Sequence, residues 1–480
     1  MGEHVAYAAE RRALQRRTLL VLYLTYGTFY LSRKADAVVK GALHEKHGFS
    51  VEDLAASDTV YLCVYTVCLG LSGLLGNYVR SNVLLASGLV ALAFTSLLKS
   101  QVTTPRAFAA TQVLHAVFQS FGWPTCIKLV GIFVTENRGF VMGVWTTCQS
   151  LGGILGAVWA TMMVARYGWQ WAYLYHVPLM LALAVVVFLT ITDDTEPAGA
   201  RAGASAEEPD GAGRAEALLR KEDREMAAGG PASASASASA SEHDDDNAKQ
   251  QKPSLRRVLA IPGVVPISVA YFFLKFLRYA LLMWLPFYYL EGLHFSQQTA
   301  GYMSSSFELG GMVGTPLIGY ASDRYFKGRR DLTSAWFMAG ASVMLVVCVA
   351  FAQGGVLVNA TSMVAVGVLV IGPDSILSGT IAQDLGSASP MGPQVIGMLA
   401  GLINSVGSCG SIFQSYATAY ISERYGWGVL FSIFVACSTL SALILFGVAE
   451  RKRLGAVNNG PTKLALGAAL ACAALFAWSR

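Results

Sequence analysis

Charge is scarce in this 480-residue chain. Its 35 lysines and arginines and 30 aspartates and glutamates amount to 14% of the residues. A soluble domain carries roughly 25%, so an ordinary water-facing surface is excluded. Eight cysteines are present (Cys63, Cys68, Cys126, Cys148, Cys348, Cys409, Cys437 and Cys472), all within apolar segments, with no CxxC pair and no His/Cys cluster. That pattern excludes a disulfide scaffold and a zinc site, and leaves small buried packing residues as their expected role. No GxxxxGK[ST] loop occurs, and no set of base, nucleophile and metal ligands stands together. Neither an enzyme, a metal nor a cofactor is therefore expected. The N-terminus, MGEHVAYAAERRALQRRTLL, lacks a small-residue cleavage site after a short apolar core, and reads as retained.

Apolar sequence is what the chain has in quantity: 54% hydrophobic, with a mean hydropathy of +0.48. Runs long enough to span a bilayer, about 20 residues each, fall near 18–40, 57–79, 82–99, 106–134, 140–165 and 171–192. A second set falls near 263–290, 298–321, 332–352, 355–380, 394–420 and 426–448. About twelve transmembrane helices are predicted, an all-α polytopic membrane protein whose first partner is the lipid bilayer. The formal charge of +5 does not mark a nucleic-acid binder, because the basic residues flank apolar runs in the positive-inside manner. Arg11, Arg12, Arg16 and Arg17 precede the first helix, and Arg451, Lys452 and Arg453 follow the twelfth. An even number of spans puts both clusters, and both termini, on one side, expected to be the cytosol. Arg324, Lys327, Arg329 and Arg330, between helices eight and nine, fall on that side too.

Five regions follow: a cytosolic tail over 1–17, a six-helix bundle over 18–192, a linker over 193–254, a second bundle over 255–450, and a tail over 451–480. The linker, with its ASASASASAS and EHDDDNAK tracts, has too few large apolar residues for a core and is expected to be disordered. Leu464 to Trp478 form a further apolar stretch, short for a span. Asn359-Ala360-Thr361 matches a glycosylation sequon beside helix ten. The two bundles echo one another. RYGWQWAY (Arg166 to Tyr173) precedes helix six and RYGWGVLF (Arg424 to Phe431) precedes helix twelve; Arg33 lies within helix one and Arg278 within helix seven. Two six-helix repeats about a central cavity are a transporter architecture, with the site near the midplane.

The motifs FYLSRKADAVVK in helix one, FGWPTCIK in helix four and NRGFVMGVW entering helix five carry a resemblance. So do LRYALLMWLPFYYL in helix seven and GYASDR after helix eight. The chain resembles the major facilitator superfamily and, within it, the organophosphate:phosphate antiporters, most of all the eukaryotic sugar-phosphate exchangers of the glucose-6-phosphate and glycerol-3-phosphate type. The resemblance covers both helical bundles. It implies that Arg33 and Arg278 clamp a phosphate and that Tyr26 and Tyr30 line the site. It also implies an endomembrane location such as the endoplasmic reticulum, the plasma membrane and plastid envelope being alternatives. Gln149 stands where bacterial relatives carry a histidine, and Leu69 where they carry a lysine.

The residues themselves support part of this. Tyr26, Tyr30 and Arg33 are spaced by four and three and share a helical face; Lys275 and Arg278, three apart, share another. A guanidinium presents a planar fork that matches phosphate oxygens. Lys34 adds a further cation, and Lys128, after GWP, can snorkel to an interface. The competing reading is permanent neutralisation: Arg33 by Asp36, Lys275 or Arg278 by Asp374 or Glu308. Gln149, Glu308 and Asp374 are expected to line the cavity. Asn77, Arg80, Asp323 and Arg324 belong to gating loops, with Asp323 latching the outward-facing state and Asn77 as its neutral counterpart. Gly152, Gly153 and Gly156 read as close helix packing, and His115 and His176 as hydrogen-bonded packing residues. The expected function is exchange of a hexose-6-phosphate or glycerol-3-phosphate class ester for inorganic phosphate by a monomeric transport unit. A proton-coupled carrier of another organic anion and a non-transporting phosphate-ester sensor are the alternatives.

Overall fold

Among the described residues, twelve helical segments follow one another in the order the apolar pattern predicts. A computed structural model describes residues 2–76, 78–133, 138–192, 255–389 and 395–454. We label the segments α1 (Gly2–His47), α2 (Val51–Leu75), α3 (Ser81–Lys99), α4 (Pro105–Gln119 and Gly122–Phe133), α5 (Arg138–Tyr167) and α6 (Trp171–Leu174 and Val177–Thr190). The second set is α7 (Val264–Phe287), α8 (Gln297–Met303 and Ser305–Arg324), α9 (Arg330–Ala350), α10 (Gly355–Ser375 and Ile381–Ser387), α11 (Ile396–Tyr425) and α12 (Trp427–Leu454). A short helix, Leu255–Leu259, precedes α7. No strand occurs among the described residues. Eight of the twelve are long and apolar enough to span a membrane by composition alone. The other four, α1, α4, α8 and α11, are diluted by polar and small residues, and α1 and α8 bring charged side chains into the interior.

The described residues of Thr18–Asp193 and Leu255–Arg480 form one compact unit. The expected linker and the Leu464 to Trp478 stretch lie outside the described residues. The expected tail over 1–17 is helical from Gly2: Ala, Glu, Arg, Leu and Gln dominate it, all strong helix formers.

Local chemistry explains where helices start and bend. Ser50 and Asp53 form a reciprocal cap, Ser50 N–H donating to Asp53 Oδ2 at 3.0 Å and Asp53 N–H to Ser50 Oγ at 3.0 Å. This cap starts α2 at Val51, ahead of the apolar run that suggested 57, because VEDLAASD is helical but polar. Pro286 in α7 and Pro373 in α10 each precede a π turn, Tyr288–Gly292 and Ile376–Thr380. Proline has no N–H to give the carbonyl four residues back, so Pro286 frees the carbonyl of Leu282. Lys34 Nζ, from α1, donates to that carbonyl at 3.2 Å.

The two halves pack alike. Within the first, α2 lies on α4 and α3 on α6; in the second, α8 lies on α10 and α9 on α12. Across the seam α5 meets α8 and α2 meets α11, the pairs a pseudo-two-fold relation exchanges. Close approach also repeats. A Cβ on Gly152 would stand 2.1 Å from the Gly27 carbonyl oxygen, and one on Gly410 would stand 2.2 Å from that of Phe272. Both are backbone collisions, so glycine sets the α1–α5 and α7–α11 spacing.

The seam is filled at the far side, where α1 ends and α2 begins. There Phe49, Leu54 and Trp169 of the first half share one buried cluster with Trp284, Phe287 and Ala419 of the second. Lipid is as apolar as these side chains, so shape and dispersion rather than transfer from water hold this plug.

One sequence expectation is corrected by this packing, and two further sites are placed by it. Cys63 and Cys409 are exposed and Cys68 is half-buried, so not every cysteine is a buried packing residue. Asn359 is buried, its Nδ2 donating to Ala352 O at 2.8 Å and Gly355 O at 2.9 Å, which leaves the sequon nitrogen occupied. Asp323 and Arg324 are exposed and make no ion pair among the described residues. The near end of the second half is tied instead by Asp331 to Lys452 at 3.0 Å and Arg330 to Asp384 at 2.5 Å.

Candidate substrate cavity

Charged groups inside a bundle must find partners or stand at a considerable cost. In the first half, α1 supplies Arg33, Lys34, Asp36 and Lys40 within two turns. Asp36 does not neutralise Arg33. Lys99, wholly buried at the end of α3, takes both Asp36 oxygens at 2.8 and 2.7 Å, and Tyr173 donates to Oδ1 at 3.0 Å. Lys99 also donates to Gln112 Oε1 at 2.9 Å. Lys40 pairs with Asp58 of α2 at 2.5 Å and lies 3.8 Å from the ring centroid of Trp284 on α7. A cavity of about 20 Å³ lies between these pairs and Arg33, lined by Lys34, Lys40, Tyr61 and Gln112 among others, enough for a water or two.

Arg33 itself is buried, 6% exposed, and no carboxylate pairs with it among the described residues. Its Nε and Nη2 have no hydrogen-bond partner. The guanidinium is held by aromatic faces instead, its carbon 5.1 Å from the Tyr279 centroid, 5.2 Å from Tyr61, 5.6 Å from Tyr65 and 5.8 Å from Tyr30. Such contacts stabilise the cation while leaving its N–H fork free. Tyr26 is buried behind Tyr30, packed on Trp123 and Trp145, so it walls the site rather than faces it.

Arg278 is treated differently. Its Nη1 forms an ion pair with Asp374 Oδ2 of α10, and Tyr271 donates to Asp374 Oδ1 at 3.1 Å. Permanent neutralisation, the competing reading, therefore applies to Arg278 and not to Arg33. Lys275 has no carboxylate within ion-pair distance among the described residues; its Nζ lies 5.0 Å from the Tyr271 centroid and 5.8 Å from that of Tyr279. With Arg278 at 5.9 Å, three cations approach the one ring of Tyr279. Glu308 of α8 is buried against Gly153 of α5, and Lys34 is its foremost charged neighbour.

The chain matches the Major Facilitator Superfamily over residues 22–414. It belongs to that superfamily. It is 29% identical to "Putative glycerol-3-phosphate transporter 1" of Arabidopsis thaliana, over 94% of this chain and 91% of that one. It is 26% identical to "Glucose-6-phosphate exchanger SLC37A2" of Mus musculus, over 89% and 90%. Among solved structures it resembles a bacterial homolog of the human lysosomal transporter Spinster in an inward-facing, occupied conformation. There the TM-score is 0.63 at 12% identity, covering 93% of this chain and 99% of that chain. The superfamily fold, the two six-helix halves and the multi-pass membrane character expected from sequence are all borne out, as is the resemblance to sugar-phosphate carriers.

Of the expected site residues, Arg33, Lys34 and Tyr30 line one cavity, while Arg278, Lys275 and Asp374 gather around Tyr271 and Tyr279. Gln149 is half-buried on α5 and Arg80 is exposed before α3; Asn77 lies outside the described residues. His176 accepts or donates a hydrogen bond with Ser96 at 2.9 Å, as expected, whereas neither ring nitrogen of His115 has a partner. Lys128 reaches the Gly76 carbonyl at 2.9 Å. Lys40, Asp58, Lys99, Tyr61, Tyr65 and Tyr279 went unread in the sequence. Two signals pointed to them: Tyr279 follows Lys275 by four, and Lys40 follows Arg33 by seven, each on one helical face.

Proposed function

We propose that this chain exchanges a phosphate ester, of the glycerol-3-phosphate or hexose-6-phosphate class, for inorganic phosphate by alternating access. Arg33 is the principal phosphate ligand, with Lys275 approaching from the other half and Arg278 reaching the cargo from its place on Asp374. Lys34, donating to the Leu282 carbonyl, tunes the same field; Tyr30 lines the cavity, and we assign Gln149, Glu308 and Asp374 to its approaches. The observation that carries this reading is the buried guanidinium of Arg33, with two unpartnered nitrogens and no counter-ion. A buried cation without an anion is a costly feature, and an anionic cargo relieves it with charge-assisted, bidentate geometry. The names of the relatives, glycerol-3-phosphate transporter and glucose-6-phosphate exchanger, support the same substrate class.

Coupling follows from the same charge. Occluding the cavity empty brings Arg33 and Lys275 together without solvent, and like charges repel strongly there. Phosphate or its ester neutralises them, so loaded return is fast and empty return slow. A proton-coupled mechanism gains no support from Asp36 or Asp374, because each is held by a cation and a tyrosine. The plugged far side supports an inward-facing resting state. The basic residues at the start of α1 and the end of α12 argue for cytosolic termini, and the resemblance to sugar-phosphate exchangers suits an endomembrane location. The test is reconstitution. Proteoliposomes loaded with inorganic phosphate should accumulate labelled glycerol-3-phosphate or glucose-6-phosphate, and phosphate-free ones should not. Equal uptake in both removes exchange; binding with no flux in either makes the protein a sensor.

A further inference from the structure

The charges around the cavity do not cancel. Six cations, Arg33, Lys34, Lys40, Lys99, Lys275 and Arg278, and four carboxylates, Asp36, Asp58, Glu308 and Asp374, lie within the two bundles, five of them lining the cavity itself. Lys40 stands with Asp58, Lys99 with Asp36, and Arg278 with Asp374, while Glu308 has Lys34 as its foremost charged neighbour. Two positive charges are left over, at Arg33 and Lys275. Asp331, at the near end of α9, pairs with Lys452 and stands apart from this set.

Asp374 is placed to decide that excess. It follows Pro373 and sits just before the π turn of α10, an irregularity common at functional sites. Both of its oxygens are held, one by Arg278 and one by Tyr271, and its side chain is only 10% exposed. It is thus a fixed negative charge beside the cations that meet at Tyr279.

We propose that Asp374 sets the charge of the cargo: by cancelling Arg278 it leaves a doubly positive cavity that selects a dianion over a trianion. The favoured cargo is a phosphate monoester with a neutral body, or hydrogen phosphate. Esters bearing an additional carboxylate are disfavoured, since the phosphate alone carries nearly two charges at pH 7 and the third finds no free cation. This inference rests on the phosphate-ester reading above. It holds whether or not Arg278 turns toward the cargo, because the summed charge of the site is the same.

The test compares binding of glycerol-3-phosphate, a dianion, with phosphoenolpyruvate, a trianion, to the purified full chain by isothermal titration. Wild type should favour glycerol-3-phosphate. Asp374→Asn should shift the affinity ratio toward phosphoenolpyruvate by about tenfold or more, while Asp374→Glu, which keeps the charge, should retain the wild-type preference. Lys275→Gln should move the ratio the opposite way, and provides an independent reading if Asp374→Asn does not fold. A ratio within about twofold of wild type (under ~0.5 kcal/mol) in a folded Asp374→Asn, or in Lys275→Gln where that variant does not fold, overturns the inference. A wild-type chain that binds neither ester nor phosphate overturns the substrate class itself, a distinct result.

Discussion

The two halves each bring one arginine to the cavity, and they hold it in different ways. Arg33 is gripped by the faces of four tyrosines and keeps its Nε and Nη2 donors free. Arg278 is gripped by the carboxylate of Asp374. Aromatic faces stabilise a cation without cancelling its charge; a carboxylate cancels it. One half thus presents a live guanidinium and the other a neutralised one, though both arginines sit at related positions in a repeated architecture. Pseudo-symmetry of backbone does not carry over to electrostatics.

Stability is where the contrast should be sharpest. Arg278→Gln leaves Asp374 as an uncompensated buried anion and should lower the unfolding free energy by about 3–5 kcal/mol. Arg33→Gln removes a cation that has no counter-ion and should leave the melting temperature unchanged or raised. Both are read from thermal denaturation of the detergent-purified chain; equal losses would erase the distinction between the halves. Next, the double variant Arg278→Gln/Asp374→Asn should recover most of the single variant's loss, since it removes the orphaned charge. A double variant as unstable as the single would locate the penalty in packing.

A smaller effect is expected at Tyr279, where the cations of both halves meet. Tyr279→Phe keeps the aromatic face and removes the hydroxyl, and should weaken phosphate-ester binding about fivefold if that hydroxyl meets the cargo, with no change in melting. The smallest effect belongs to Cys63→Ser and Cys409→Ser. Both cysteines are exposed, and exchange rates should stay within about twofold of wild type.

Much of this arrangement was legible in the sequence. Apolar runs of spanning length gave twelve helices, because the bilayer fixes their length, and the i, i+3, i+4 spacing put Tyr30 with Arg33 and Lys275 with Arg278. Pairing was not legible. Asp36 lies three residues from Arg33, yet α3 delivers Lys99 to it from 63 positions away, and no local spacing announces such a contact. Lys34 illustrates the same limit: its partner is a backbone carbonyl on α7, released by Pro286. The proline was visible in LPFYYL; the group it freed had no sequence signature. The start of α2 was missed because a capped helix can begin in polar sequence, where apolar periodicity is silent.

The central claim is that the uncompensated guanidinium of Arg33 is the phosphate ligand. It is tested most directly by titrating inorganic phosphate into the purified wild-type chain, Arg33→Gln and Arg33→Lys. Loss of the planar, bidentate donor should weaken binding by about 100-fold in Arg33→Gln, with Arg33→Lys restoring only part of it. Phosphate affinity unchanged in a folded Arg33→Gln would contradict the account.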